Sequence, residues 1–205
     1  YSQSAEMIWF VALPSSFALC LVPLPLVSAL FEHGETSRQD ALAISYATAI
    51  YGLGLPAFMI QKLLQPLYFA REDTKTPLRF AVISMLLNAI LAITLLKVMG
   101  WIAVAVAASA SAWVTSILLW ISAKKFGRAA TALKTSTNRI KRTFFASLVM
   151  GIILWAASQN IYIAMQTSAE RVFFAIGLVF AGSTIYLVIV YMLQAFPKNS
   201  EKALN

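Results

Sequence analysis

Charge is scarce in this chain: 12% of its 205 residues are Asp, Glu, Lys or Arg, against 60% hydrophobic residues, and the mean hydropathy is +0.77. Soluble domains carry about twice that share of charge, so the composition predicts an integral membrane protein. Cysteine is nearly absent. Cys20 stands alone inside an apolar run, which excludes an intramolecular disulfide and reads as a small buried hydrophobe. The single histidine, His33, has no second histidine or cysteine beside it, so no metal site is expected. All eight carboxylates, Glu6, Glu32, Glu35, Asp40, Glu72, Asp73, Glu170 and Glu201, fall in loops or at the ends of apolar runs. A mid-membrane pair for acid and base work, or a buried proton relay, is therefore missing. No glycine-rich phosphate loop appears and no cofactor is implied. An enzyme reading finds no support.

What the chain does have is long uncharged runs, at 7–31, 41–61, 80–96, 98–123, 143–169 and 172–197. A helical span needs about 20 residues, which predicts six transmembrane helices. A barrel is excluded because the runs lack alternation and exceed a barrel strand of about 10 residues. The fold class is thus an all-α membrane protein, a bundle of six transmembrane helices. Lys and Arg sort onto alternate loops, thirteen against three (Arg38, Lys97 and Arg171). Positive charge stays inside, so both ends of this segment are expected in the cytoplasm. The basic loop at 124–142 lacks interleaved aromatics and reads as an orientation signal touching anionic headgroups, with no nucleic-acid partner. The organisation expected is four spans over 1–123, that loop, two more spans over 143–197, and a cytoplasmic tail at 198–205. Residue 1 is tyrosine with no signal segment before the first span, so the chain reads as internal to a longer protein.

Helix ends carry their own marks. Ser37 with Asp40, and Thr167 with Glu170, have capping-box spacing, and Thr76 before Pro77 reads as an N-cap with a first-turn proline. A helix over 40–70 would run roughly 46 Å, beyond the roughly 30 Å of hydrocarbon. Pro56 and Pro66, with Gly52 and Gly54, are the hinge candidates where it bends. The polar segment at 61–77 is the candidate site. Gln61, Gln65 and Tyr68 fall at i, i+4 and i+7 on one face. Lys62 either snorkels to the interface or faces a cavity and an anionic group. Asn88 lies roughly 16 Å beyond Pro77, near the bilayer centre, where its amide needs a partner on another helix. Ala103, Ala105, Ala107, Ala108, Ser109, Ala110, Ser111 and Ala112 form a small-residue run that permits close helix packing. Trp9, Trp101, Trp120, Tyr162 and Tyr191 lie toward span ends as interface anchors.

Several of these strings resemble the later half of the MurJ (MviN) family of lipid II flippases, in the MOP exporter superfamily. They are Leu13-Pro14-Ser15-Ser16, Leu30-Phe31-Glu32-His33-Gly34, Tyr51-Gly52-Leu53-Gly54-Leu55-Pro56-Ala57-Phe58 and, above all, the gap-free run from Lys62 through Gln65-Pro66-Leu67-Tyr68-Phe69-Ala70-Arg71-Glu72-Asp73-Thr74-Lys75-Thr76-Pro77. Tyr68 and Phe69 exchange the family's aromatic order there. The resemblance implies spans nine to fourteen of a two-lobe transporter, with lipid II, membrane lipids and the missing N-terminal half as partners. It also implies a cytoplasmic gate at 61–77, where Arg71 and Asp73 pair with each other or with the other lobe, and a lipid-tail groove in the last two spans. Ala92 stands where some members carry an acidic residue of a cation site, so a complete sodium site is not implied. The readings that compete are a polysaccharide or drug exporter of the same superfamily and a non-transporting membrane structural partner.

Overall fold

The structure, a computed structural model, describes residues 2–32, 36–126, 137–162 and 167–193. His33, Glu35, the middle of the basic loop and the tail from 194 onward lie outside the described residues. Among those described, the chain is helical: α1 (Ser2–Leu21), α2 (Pro23–Phe31), α3 (Arg38–Phe69), α4 (Lys75–Met99), α5 (Ile102–Ala123) with a 3-10 turn at Lys124–Phe126, α6 (Thr137–Tyr162) and α7 (Ser168–Met192). Five of these are long and apolar enough to cross a membrane, and α1 with α2 make a sixth if the pair is one span.

That pair corrects the first expectation. The run at 7–31 is not one straight span; it bends by 80° between Leu21 and Pro23. Pro23 and Pro25 bring no N–H, so the carbonyls of Leu19 and Leu21 lose their helical donors and the chain turns. Val22 sits at the corner, 2% exposed, and its N–H still closes onto Ala18 at 3.0 Å.

By contrast α3 runs through both Pro56 and Pro66 as one helix of 32 residues. Its start is the capping box read from sequence: Asp40 N–H donates to Ser37 Oγ at 3.2 Å and Ser37 N–H to Asp40 Oδ2 at 3.0 Å. Gly52 and Gly54 are points of close approach. They let neighbours in, since a Cβ on Gly52 would lie 3.0 Å from Cys20 Sγ and one on Gly54 2.8 Å from Ser109 Oγ. The small-residue run of α5 packs as expected, with Ala103, Ala105, Ala107, Ser109, Ser111 and Ala112 buried.

Helix α5 is the hub of the first unit. Both α3 and α4 lie along it, while α3 and α4 barely meet. Side chains bridge α3 and α5 onto backbone carbonyls: Ser109 to Ile50 at 2.8 Å, Trp113 to Leu53 at 3.0 Å and Ser116 to Ala57 at 2.6 Å. Gln61 and Tyr68 donate the other way, to Ala112 at 2.8 Å and Leu119 at 2.7 Å. Apart from Gln61, which reaches back to Ala112, the partners rise together in number, so α3 and α5 run parallel, as two spans separated by a third must. Bonds of this kind contribute about 0.6 to 2 kcal/mol each in membranes.

The second unit is α6 and α7, which rest on α1, α2 and each other. It has its own core, where Val22 meets Ala146, Met150, Leu154, Leu178, Tyr186 and Val190. Arg139 bonds Glu6 at 2.7 Å at one membrane face, and Arg171 bonds Glu32 at 2.6 Å at the other. The helix therefore begins at Thr137, within what the sequence suggested was loop.

Candidate functional site

The run at 61–77 is taken apart by the fold. Tyr68 does not share a polar lining with Gln61 and Gln65. Its ring is fully buried among Leu64, Leu67 and Leu119, and only its hydroxyl is polar, satisfied by the Leu119 carbonyl. Lys62 is exposed and outside any cavity described. Gln61, Gln65, Pro77 and Asn88 do come together, lining a crevice of about 340 Å³ between α3 and α4 whose floor is α5. Ser84, Ser111 and Thr115 also line it, but their hydroxyls donate to backbone carbonyls of α5, at 3.3, 3.0 and 2.9 Å, so the free donors of the crevice are amides. The expected helix-to-helix bond of Asn88 is not made: among the described residues neither Asn88 nor Gln65 has a hydrogen-bond partner, and both amides face the crevice.

The charged part of the run forms a joint between α3 and α4. Asp73 N–H reaches back to the Tyr68 carbonyl at 3.1 Å and Glu72 N–H to Phe69 at 3.0 Å, the pairing of a Schellman helix end. That motif needs a left-handed residue, and Glu72 supplies it at φ 58°. A side chain there is strained by about 1 kcal/mol relative to glycine. Glu72→Gly is therefore expected to raise the melting temperature of the purified protein, and Glu72→Val to lower it.

Thr76 is not the N-cap. The helix opens two residues earlier, after Thr74. Asp73 does the capping, accepting from Thr76 N–H at 3.0 Å and from its hydroxyl at 2.8 Å. Pro77 falls at the third helical position, where a missing N–H costs nothing. Arg71 and Asp73 do not pair with each other. Asp73 bonds Lys125 at 3.1 Å, and the Arg71 guanidinium stacks 4.2 Å over Phe126, which packs edge-on against Tyr68. The Thr76 hydroxyl and N–H, then Lys125, hold the Asp73 carboxyl below the usual carboxylate range. A depressed acid is protonated only at low pH, so this cap persists at neutral pH and is lost as pH falls through the lowered value.

A second cavity lies on the flank, between α1 with α2 on one side and α6 with α7 on the other. It too is about 340 Å³, lined by Phe10, Pro14, Ala18, Leu154, Leu178 and Tyr186 among others. Three hydroxyls border it and each is spent on a backbone carbonyl: Ser15 donates to Val11 at 2.8 Å, Ser183 to Val179 at 2.8 Å and Tyr186 to Phe10 at 2.6 Å. The groove is therefore largely apolar and offers no free hydroxyl donor. Sequence reading found the last two spans apolar but missed Tyr186, Glu6, Arg139 and the Glu32–Arg171 pair. A signal existed for Tyr186: Pro14 has no N–H for the Phe10 carbonyl four residues earlier, so a donor had to come from elsewhere.

These features define an all-α membrane protein of several spans, one of them broken at proline, with a polar crevice inside one unit and a largely apolar groove on its flank. Residues 1–174 match the family described as Lipid II flippase MurJ. The chain belongs to that family. It is similar to a probable lipid II flippase MurJ of Rhizobium meliloti, at 34% identity over 93% of this chain and 36% of that protein. A relative from Vibrio cholerae, also a probable lipid II flippase MurJ, is 29% identical over 97% of this chain and 38% of its own length. A solved structure, lipid II flippase MurJ in an inward closed conformation, superposes with a TM-score of 0.73 at 25% identity, covering 92% of this chain and 37% of that one. The chain thus spans just over a third of the length of these relatives.

Proposed function

We propose that this chain forms the later part of a flippase that carries lipid II, the lipid-linked peptidoglycan precursor, across the bacterial inner membrane. The observation that carries this reading is the flank groove, largely apolar and with every bordering hydroxyl already donating to a backbone carbonyl, within a fold of the MurJ family. A groove of that kind suits a polyprenyl tail and excludes a sugar or diphosphate, which would leave its polar groups unpaired. The head group then needs polar contacts elsewhere. The crevice at Gln65 and Asn88 supplies neutral ones, and its anionic contacts belong to the rest of the protein.

Movement follows alternating access, in which two lobes rock about the head-group cavity while the tail stays in the groove. Both ends of the segment face the cytoplasm, on the thirteen-to-three distribution of positive charge. The joint at Arg71, Asp73, Lys125 and Phe126 then lies at the cytoplasmic gate, where it fastens α3, α4 and α5 into one moving body. No step of bond making or breaking is required of these residues.

Competition separates this reading from a related exporter. Vesicles holding the full-length protein are given labelled lipid II with an excess of either unlabelled lipid II or a lipid-linked oligosaccharide lacking the peptide. Lipid II is expected to suppress transfer of the label, and the oligosaccharide to leave it within about twofold. Equal suppression by both identifies a polysaccharide exporter instead.

A further inference from the structure

Two interhelical hydrogen bonds share an unusual feature. The Tyr186 hydroxyl on α7 donates at 2.6 Å to the carbonyl of Phe10 on α1, and Ser16 on α1 donates at 2.6 Å to the carbonyl of Gly52 on α3. In a helix those two acceptors are served by the N–H groups of residues 14 and 56. Both positions are proline. Each bond therefore occupies a carbonyl that a proline has vacated, and each would have far less reason to form if that proline were another residue.

The two joints lie in series. Tyr186 borders the flank groove, its ring 5.2 Å from that of Phe10, and Pro14 forms part of the same wall. Just beyond Pro14, Ser16 ties α1 to α3, and the Cys20 thiol adds a contact to the Ala49 carbonyl at 3.4 Å. Helix α3 then runs on to Gln61 and Gln65 at the crevice. Helices α6 and α7 pack on α1 and α2, so the route from groove to crevice passes through α1.

The geometry points to a relay of two proline joints, Tyr186 with Pro14 and Ser16 with Pro56, that reports occupancy of the flank groove to the crevice lined by α3. The inference rests on the groove being the seat of a lipid tail, as proposed above. A tail entering between Phe10 and Tyr186 presses on the bond that fixes α7 to α1. A shift of α1 at Pro14 is passed to α3 at the turn freed by Pro56. Tyr186 and Ser16 are positioning residues in this scheme, acting through helices rather than on substrate.

The test uses the full-length protein in phosphatidylethanolamine and phosphatidylglycerol vesicles, with Cys20→Ala and Gln65→Cys, and a polyprenyl diphosphate carrying a diazirine in its tail. Photolabelling of α7 reads the tail in the groove; the rate at which a water-soluble thiol reagent modifies residue 65 reads the crevice. The lipid is expected to change that rate, and Ser16→Ala to reduce the change by about 3- to 30-fold, the range one membrane hydrogen bond corresponds to, with photolabelling kept. Tyr186→Phe is expected to do likewise for the rate. In the Pro56→Ala and Pro14→Ala backgrounds, where an N–H returns to each carbonyl, the same substitutions are expected to be nearly silent. If photolabelling occurs but the rate at residue 65 does not respond, or responds equally in Ser16→Ala, the relay is wrong and the tail reading stands. Full effects of both substitutions in the proline-free backgrounds also overturn it. No photolabelling of α7 at all removes the tail reading and the relay with it.

Discussion

Gly54→Val is expected to destabilise the protein by on the order of 3 kcal/mol or more and to separate α3 from α5. A Cβ at residue 54 would stand 2.8 Å from Ser109 Oγ, 3.1 Å from its Cβ and 3.2 Å from its Cα. The hydroxyl can rotate away. The Cα can move only with α5 itself. Valine adds two methyl groups to that contact, and overpacking of this kind costs about 1 to 3 kcal/mol. The larger loss comes from the bonds that depend on the spacing, because Ser109 to Ile50, Trp113 to Leu53 and Ser116 to Ala57 all cross the same interface. Gly54→Ala should be milder, giving up mainly the Ser109 bond. Ser109→Gly should rescue Gly54→Ala only in part, because it removes the Oγ and Cβ contacts but leaves the Cα at 3.2 Å, and thermal melting in detergent checks both. Unchanged melting of Gly54→Val would show that α3 and α5 are not held this closely.

Arg171→Ala is expected to have the next largest effect. Its guanidinium bonds Glu32 at 2.6 Å, and the two side chains are only 14% and 9% exposed. Breaking a largely buried pair by removing one member costs on the order of 3 to 5 kcal/mol. The pair fastens the start of α7 to the end of α2, so its loss should both lower the melting temperature and open the flank groove at that end. Arg171→Lys should recover little, since a point charge does not reproduce the guanidinium fork. Exchange of the two residues, Glu32→Arg with Arg171→Glu, should recover more than either alone. The contrast is Lys125 with Asp73, where the lysine is 50% exposed. Lys125→Ala should shift melting hardly at all, because exposed pairs contribute about 0 to 1 kcal/mol.

What could be read before the fold was known follows a physical division. Hydropathy and length are local properties, so the spans, the α-helical class and the Ser37–Asp40 cap were legible, as was packing of the small face of α5. Direction is less local. The 25 apolar residues at 7–31 are long enough for one span, and only Pro23 and Pro25 mark the turn that divides them. Helical spacing put Tyr68 with Gln61 and Gln65, yet a tyrosine can bury its ring and satisfy its hydroxyl on a neighbouring backbone, as it does at Leu119. Partners far apart in sequence were out of reach altogether. Glu6 meets Arg139 across 133 positions and Phe10 meets Tyr186 across 176, and no periodicity in one helix reports what another brings to it. Proline offered the one exception, because each internal proline names the carbonyl that has lost its donor.

On the reading proposed above, the flank groove carries the hydrocarbon tail of the transported lipid. Leaflet-resolved transfer of labelled lipid II in vesicles holding the full-length protein tests it most directly, comparing the unmodified protein with Ser183→Trp. Ser183 bonds only its own helix and borders the groove, so an indole there fills the space without cutting an interhelical tie. Transfer by the unmodified protein, slowed at least about tenfold in Ser183→Trp at equal protein and unchanged melting temperature, is the result expected. Equal transfer by the two proteins would show that the tail crosses without the groove.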